Sequence, residues 1–168
     1  MRAREIIGVA VLAFSMAGAA FAQSGAAAPR LPAFDATTLD GRHMRNADLA
    51  NRPTLVSFFF ATCVPCIKEA PVLNAFAARH PEFNVLAITP DPSDVARGYV
   101  SQRHFSWPVI ANAGAFIAAA KVRGYPTWLL LAKDGRILAR DTGLDEGSMR
   151  EPAIGLAELE RWVTQHRP

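Results

Sequence analysis

Cys63 and Cys66, in the run Cys63-Val64-Pro65-Cys66, are the two cysteines of the chain, and their spacing is that of a dithiol able to open and close a disulfide within one helical turn. What surrounds them decides what they can do. Thr54 to Phe60 (TLVSFFF) has the β-branched and aromatic density of a strand covered on both faces. From Val64 to His80 the apolar residues Ile67, Ala70, Leu73, Phe76 and Ala77 recur every three or four positions, as on a helix. Cys63 is therefore expected at an exposed helix start, where unsatisfied N–H groups and the positive end of the dipole favour a thiolate. A thiolate there attacks a disulfide, and Cys66, one turn further in, is placed to attack the mixed disulfide and release the product.

Plainer readings of the pair fit less well. A structural crosslink closing so short a loop restrains little chain entropy. A zinc site needs two further ligands, and His43, His80, His104 and His166 occur singly, without ligand spacing. Neither a metal nor another cofactor is expected. Glu69 follows Cys66 by three residues, on the same side of the helix. A carboxylate there raises the cysteine pKa by like-charge repulsion; the competing reading is a solvated glutamate on the helix face.

The elements that position these groups can be read outward from them. Leu31 to Arg45 holds two short segments about an Asp40-Gly41 turn. After the strand and helix flanking the cysteines come a buried strand at Asn84 to Thr89, a helix at Ser93 to His104 with Ser93 as N-cap, and a shorter helix at Ala113 to Val122. Thr127 to Ala132 and Arg136 to Arg140 flank Lys133-Asp134-Gly135 as a hairpin, and Ile154 to His166 forms an amphipathic helix. Pro71 implies a kink in the first helix. Strand-helix-strand-helix, a hairpin and a last helix predict an α/β sandwich, with a mixed sheet covered on both faces. Trp107 and Trp128 read as packing residues.

Phe58-Phe59-Phe60-Ala61-Thr62-Cys63-Val64-Pro65-Cys66-Ile67-Lys68-Glu69-Ala70-Pro71, with Gly124-Tyr125-Pro126-Thr127 and Asp134-Gly135 downstream, resembles the thioredoxin superfamily, and within it the TlpA/ResA group of extracytoplasmic thiol-disulfide oxidoreductases. The resemblance covers roughly Leu31 to Gly143. It implies a thioredoxin-like three-layer sandwich with an N-terminal hairpin extension, and a redox-active Cys63–Cys66 disulfide. It further implies Cys63 as attacking thiol, Cys66 as resolving thiol and Glu69 as a proton-moving carboxylate. Ser57 stands where cytoplasmic thioredoxins carry a buried aspartate and cannot serve as that base. Pro126 matches the family's cis-proline, beside which the backbone of Tyr125 can pair with an extended substrate; Tyr125, Pro126 and Thr127 are the expected substrate-binding residues. One departure is Thr62, where the family carries Trp: its hydroxyl can cap the helix, but it offers no indole platform.

Residues 1–22 run from Arg2 and Arg4 through an apolar stretch to Ala20-Phe21-Ala22, the layout of a signal peptide with an A-x-A cleavage site. The alternative is an anchor helix at the short end of membrane-spanning length. Residues 23–30 read as a flexible leader and 31–168 as one thioredoxin-like domain. The expected place is the periplasm and the expected form a monomer. Its expected partners are exported client proteins with disulfides and a membrane thiol-disulfide electron donor; the resemblance points to apocytochrome c or metal-site cysteines as clients. Lys and Arg number 18 against 15 Asp and Glu over 168 residues, a small surplus spread along the chain, so no nucleic-acid surface is indicated. Two other activities stay open at this point. One is a copper-delivery protein using the same cysteines. The other is a peroxiredoxin-like thiol peroxidase, although Val56 stands seven residues before Cys63, where that pattern has Pro.

Overall fold

Five consecutive buried residues, Thr54–Phe58, form the central strand β3 of the computed structural model, which describes residues 28–142 and 155–167. Ahead of it, β1 (Asp35–Thr37) and β2 (His43–Arg45) pair antiparallel as the expected hairpin. Its turn uses Gly41 at φ +85°, a conformation open to glycine at little cost, and is held by the Thr38 hydroxyl donating to the Asp40 carboxylate. A 3-10 turn at Asn46–Leu49 then leads into β3.

Helix α1 (Val64–Arg79) follows, then β4 (Asn84–Ile88), α2 (Ser93–Arg103), β5 (Val109–Ile110), α3 (Gly114–Ala119), β6 (Thr127–Leu131), β7 (Ile137–Thr142) and α4 (Leu156–His166). The strand order among the described residues is β5-β4-β3-β6-β7. β3, β4 and β5 run parallel, with Leu55 opposite Val85, while β6 pairs antiparallel with β3, Leu130 opposite Leu55, and with β7 on its other side. The parallel pairs need crossovers, which α1 and α2 supply.

Strand alternation sorts the core into two layers. Leu55, Phe59, Val85, Ala87, Trp128 and Leu130 pack with Cys66, Leu73 and Phe76 of α1, Tyr99 of α2 and Leu159 and Val163 of α4. Val56, Phe58, Leu86, Ile88, Leu129 and Leu131 pack on the other face with Leu31, Leu49 and Ile117 of α3. The result is a thioredoxin-like three-layer sandwich with the hairpin as an N-terminal addition. Trp107 and Trp128 are both buried.

The structure departs from expectation in a few places. Pro92, not Ser93, occupies the N-cap of α2, with no side-chain cap; Ser93 lies inside the helix and its Oγ accepts from the Asn112 amide. α3 is shorter than the predicted 113–122 segment, and β5 was not anticipated. The end of the expected leader lies on the last hairpin: the Pro29 carbonyl accepts from the Ile137 N–H, and the Arg30 backbone pairs antiparallel with that of Arg136. The expected signal peptide lies outside the described residues.

Candidate active site

At the C-terminal end of β3 the chain turns through Phe59 to Thr62, and the Cys63 N–H donates to the Phe60 carbonyl at 3.1 Å. Cys63 itself takes the N-cap of α1, its backbone extended and its Sγ accepting from the Cys66 N–H at 3.2 Å. Thr62 is thereby left one residue outside the helix and exposed, so the cap expected of its hydroxyl is made by sulfur. The first turn of α1 contains no acidic residue to oppose the positive end of the helix dipole.

The two sulfurs are joined, with Cα atoms 5.2 Å apart. Cys63 and Cys66 are each 3% exposed. Cys63 is thus less open than its position at the helix start implied, because its sulfur turns back over the first turn to meet Cys66. Val64, between them, is 60% exposed and leaves an apolar side chain in solvent beside the disulfide.

Glu69 is 8% exposed. It shares the inward face of α1 with Cys66, Ala70, Leu73 and Phe76, which removes the reading of a solvated helix-face glutamate. Ser57 is buried on β3, on the same sheet face as Leu55 and Phe59 by alternation, and contributes no charge. Among the described residues, the buried carboxylate on the cysteine side of α1 is therefore Glu69.

Ahead of β6 the Tyr125–Pro126 bond is cis, as the resemblance implied. Tyr125 packs at the edge of the layer that contains Cys63 and Cys66, its ring meeting Phe60 edge-on at 5.2 Å. Burial, and then the nearby Asp91 charge, raise its phenol above the ordinary value. Thr127 opens β6 with its hydroxyl donating to the Gly124 carbonyl at 2.8 Å, so that side chain is engaged in holding the turn. His43, His80, His104 and His166 do not join the cysteines, and among the described residues no three His, Cys, Asp or Glu side chains are grouped as metal ligands.

Two residues near the site were not singled out from sequence. Asp91, after β4, accepts from the Ala61 N–H at 2.6 Å and from the Thr89 hydroxyl at 2.8 Å, tying the turn before Cys63 to the neighbouring strand. Tyr99 on α2 donates its hydroxyl to the Cys66 carbonyl at 3.1 Å. The Ile88-Thr89-Pro90-Asp91 strand end was the available signal for Asp91. Nothing local marks Tyr99, whose partner is 33 residues away.

Comparison with known proteins gives the site its context. The Redoxin family model matches residues 23–154. Thiol-disulfide oxidoreductase ResA of Bacillus thuringiensis (strain Al Hakam) is 29% identical over 116 residues, 67% of each chain. Soluble secreted antigen MPT53 of Mycobacterium bovis is 29% identical over 133 residues, 77% of this chain and 76% of the relative. A secreted Mycobacterium tuberculosis disulfide oxidoreductase homologous to E. coli DsbE superposes with a TM-score of 0.67 at 24% identity, covering 79% of this chain and 95% of that one; that likeness speaks to the fold. With its cysteine pair bonded at the start of α1, the chain belongs to the Redoxin family and is a TlpA/ResA-like thiol-disulfide oxidoreductase of the thioredoxin superfamily.

Proposed function

We propose that the protein reduces disulfides of exported client proteins, with Cys63 as the attacking thiol, Cys66 as the resolving thiol and Glu69 as the carboxylate that moves protons at the buried sulfur. The observation that carries this reading is the placement of Cys63 Sγ at the N-cap of α1, bonded to Cys66, with Glu69 buried one turn on. In the forward step the Cys63 thiolate attacks a client disulfide, forming a mixed disulfide and releasing one client thiolate. Cys66 then attacks Cys63 Sγ, closing the Cys63–Cys66 disulfide and releasing the second client thiolate. The client gains two electrons and the protein loses two. A dithiol electron donor must reopen the pair, and in an oxidising compartment that donor is a membrane partner.

Tyr125, Pro126 and Thr127 form the client-binding turn, with the Tyr125 backbone N–H and C=O offered to an extended client segment. Residues 1–22 as a cleaved signal peptide, 23–30 as leader and export to the periplasm complete the proposal. The three-part N-terminal sequence supports it, and one relative is named a soluble secreted antigen. The midpoint potential of the Cys63/Cys66 couple tests the direction. A reductant is expected near the roughly −270 to −200 mV of thioredoxins and glutaredoxins, and a value near the about −120 mV of a strong periplasmic oxidant reverses the assignment.

A further inference from the structure

Tyr99 of α2 donates a hydrogen bond into the turn that carries the cysteines. It is 5% exposed, and its ring is stacked on Phe59 at 4.8 Å and met edge-on by Phe105 at 5.6 Å. From that slot the hydroxyl reaches the Cys66 carbonyl at 3.1 Å. The carbonyl has two lone pairs and can accept this bond beside the helical one.

The location on the helix matters. Pro71 has no N–H, so the Ile67 carbonyl one residue on from Cys66 lacks its helical donor. The turn that presents the resolving thiol is therefore the turn with the weakest internal ladder. An outside donor at that point replaces stiffness that the proline removes.

Resting on the dithiol reading above, we infer that the Tyr99 hydroxyl is a positioning group for Cys66. It fixes the Cys66 turn against α2 so that the resolving sulfur meets the mixed disulfide in register. The phenol remains a donor at working pH: burial pushes it up to about 12, against the Arg103 charge and with the Glu69 charge. The docking of α2 on α1 does not depend on this one bond, because the Asn74 amide also donates to the Arg103 carbonyl at 2.8 Å. Removing only the hydroxyl should therefore leave the helices packed.

The test separates the two exchange steps. Reduced Y99F is mixed with a client-like peptide disulfide under single-turnover conditions, and formation and decay of the mixed disulfide are followed by rapid acid quench. Formation, which belongs to Cys63, is expected at the parental rate. Decay, which belongs to Cys66, is expected to slow about three- to tenfold, the range for one lost hydrogen bond. Parental rates in both steps overturn the inference, and so does equal slowing of both. If Y99L slows decay while Y99F does not, the ring alone matters and the inference also falls. In the parent chain the Tyr99 hydroxyl proton should exchange slowly enough to be seen by NMR; exchange at the solvent rate overturns the inference without any variant. A parent that forms no mixed disulfide at all contradicts the dithiol reading, a result distinct from these.

Discussion

Replacing Glu69 by Gln keeps the size and shape of a side chain that is 8% exposed and deletes its charge. Side chains three residues apart on a helix start about 5–6 Å apart. At about 6 Å and an effective dielectric of about 20, a carboxylate and a thiolate repel by roughly 3 kcal/mol, about two pKa units. The sign is fixed: the carboxylate disfavours the Cys66 thiolate, so E69Q moves the higher titration step of the reduced dithiol to lower pH, by as much as about two units. Because the two groups titrate as a coupled pair, the step belongs to both. Thiolate ultraviolet absorbance against pH measures it, and the pH profile of disulfide reduction should lose one limb as the acid-base group disappears. Tyr99 gives an independent reading, since the Glu69 charge helps to raise its phenol; in E69Q that phenol should ionise at lower pH. Thiol titration, phenol titration and pH-rate curve that all overlay the parent's refute the coupling, and Glu69 then leaves the site.

Asp91→Ala removes the acceptor of the Ala61 N–H and the Thr89 hydroxyl. It should cost about 1–3 kcal/mol in denaturant unfolding and let Tyr125 ionise at lower pH, with Asp91→Asn recovering part of the stability; unchanged values of both contradict the tie. Gly41 has φ +85° and nothing within 4 Å of an added Cβ, so Gly41→Ala should cost about 1–2 kcal/mol of backbone strain alone and leave disulfide reduction at the parental rate. Both tyrosines of the chain are raised above 10, Tyr99 to about 12. The unfolded chain then gives up phenol protons near pH 10 that the native state keeps, so stability should fall as pH rises from about 10 to 12. Native phenolate absorbance appearing at the ordinary value contradicts that.

The strongly patterned parts of the fold were legible because single physical signals specify them. Thr54–Phe58 is dense in β-branched and aromatic residues and is buried on both faces, and Val64–Arg79 shows helical spacing along its inner side. The Asp-Gly turns at Asp40-Gly41 and Asp134-Gly135 marked two hairpins, with both glycines at positive φ. β5 escaped notice because Val109–Ile110 is two residues long and pairs with β4 through tertiary placement, with no periodicity to display. Ser93 is a good capping residue in isolation, but Pro92 precedes it with extended backbone and starts the helix one position earlier. At the site, the spacing of Cys63, Cys66 and Glu69 placed them on one helix, yet spacing alone left Glu69 between a solvated and an inward face; the packing of α1 onto the sheet decides it. Thr62 as helix cap failed because the helix starts one residue later than that role needs. Tyr99 and Asp91 act from other elements across the fold, where no local pattern reports them.

The direct test of the central claim is which cysteine captures the client. Reduced Cys66→Ser, in which attack can occur and resolution cannot, should accumulate disulfide-linked complexes with exported proteins, seen on non-reducing gels and released by dithiothreitol. Cys63→Ser should capture none and should lose insulin-type disulfide reduction. Complexes on Cys63→Ser and none on Cys66→Ser would exchange the two roles, and an absence of complexes on both would contradict a client-reducing dithiol at Cys63 and Cys66.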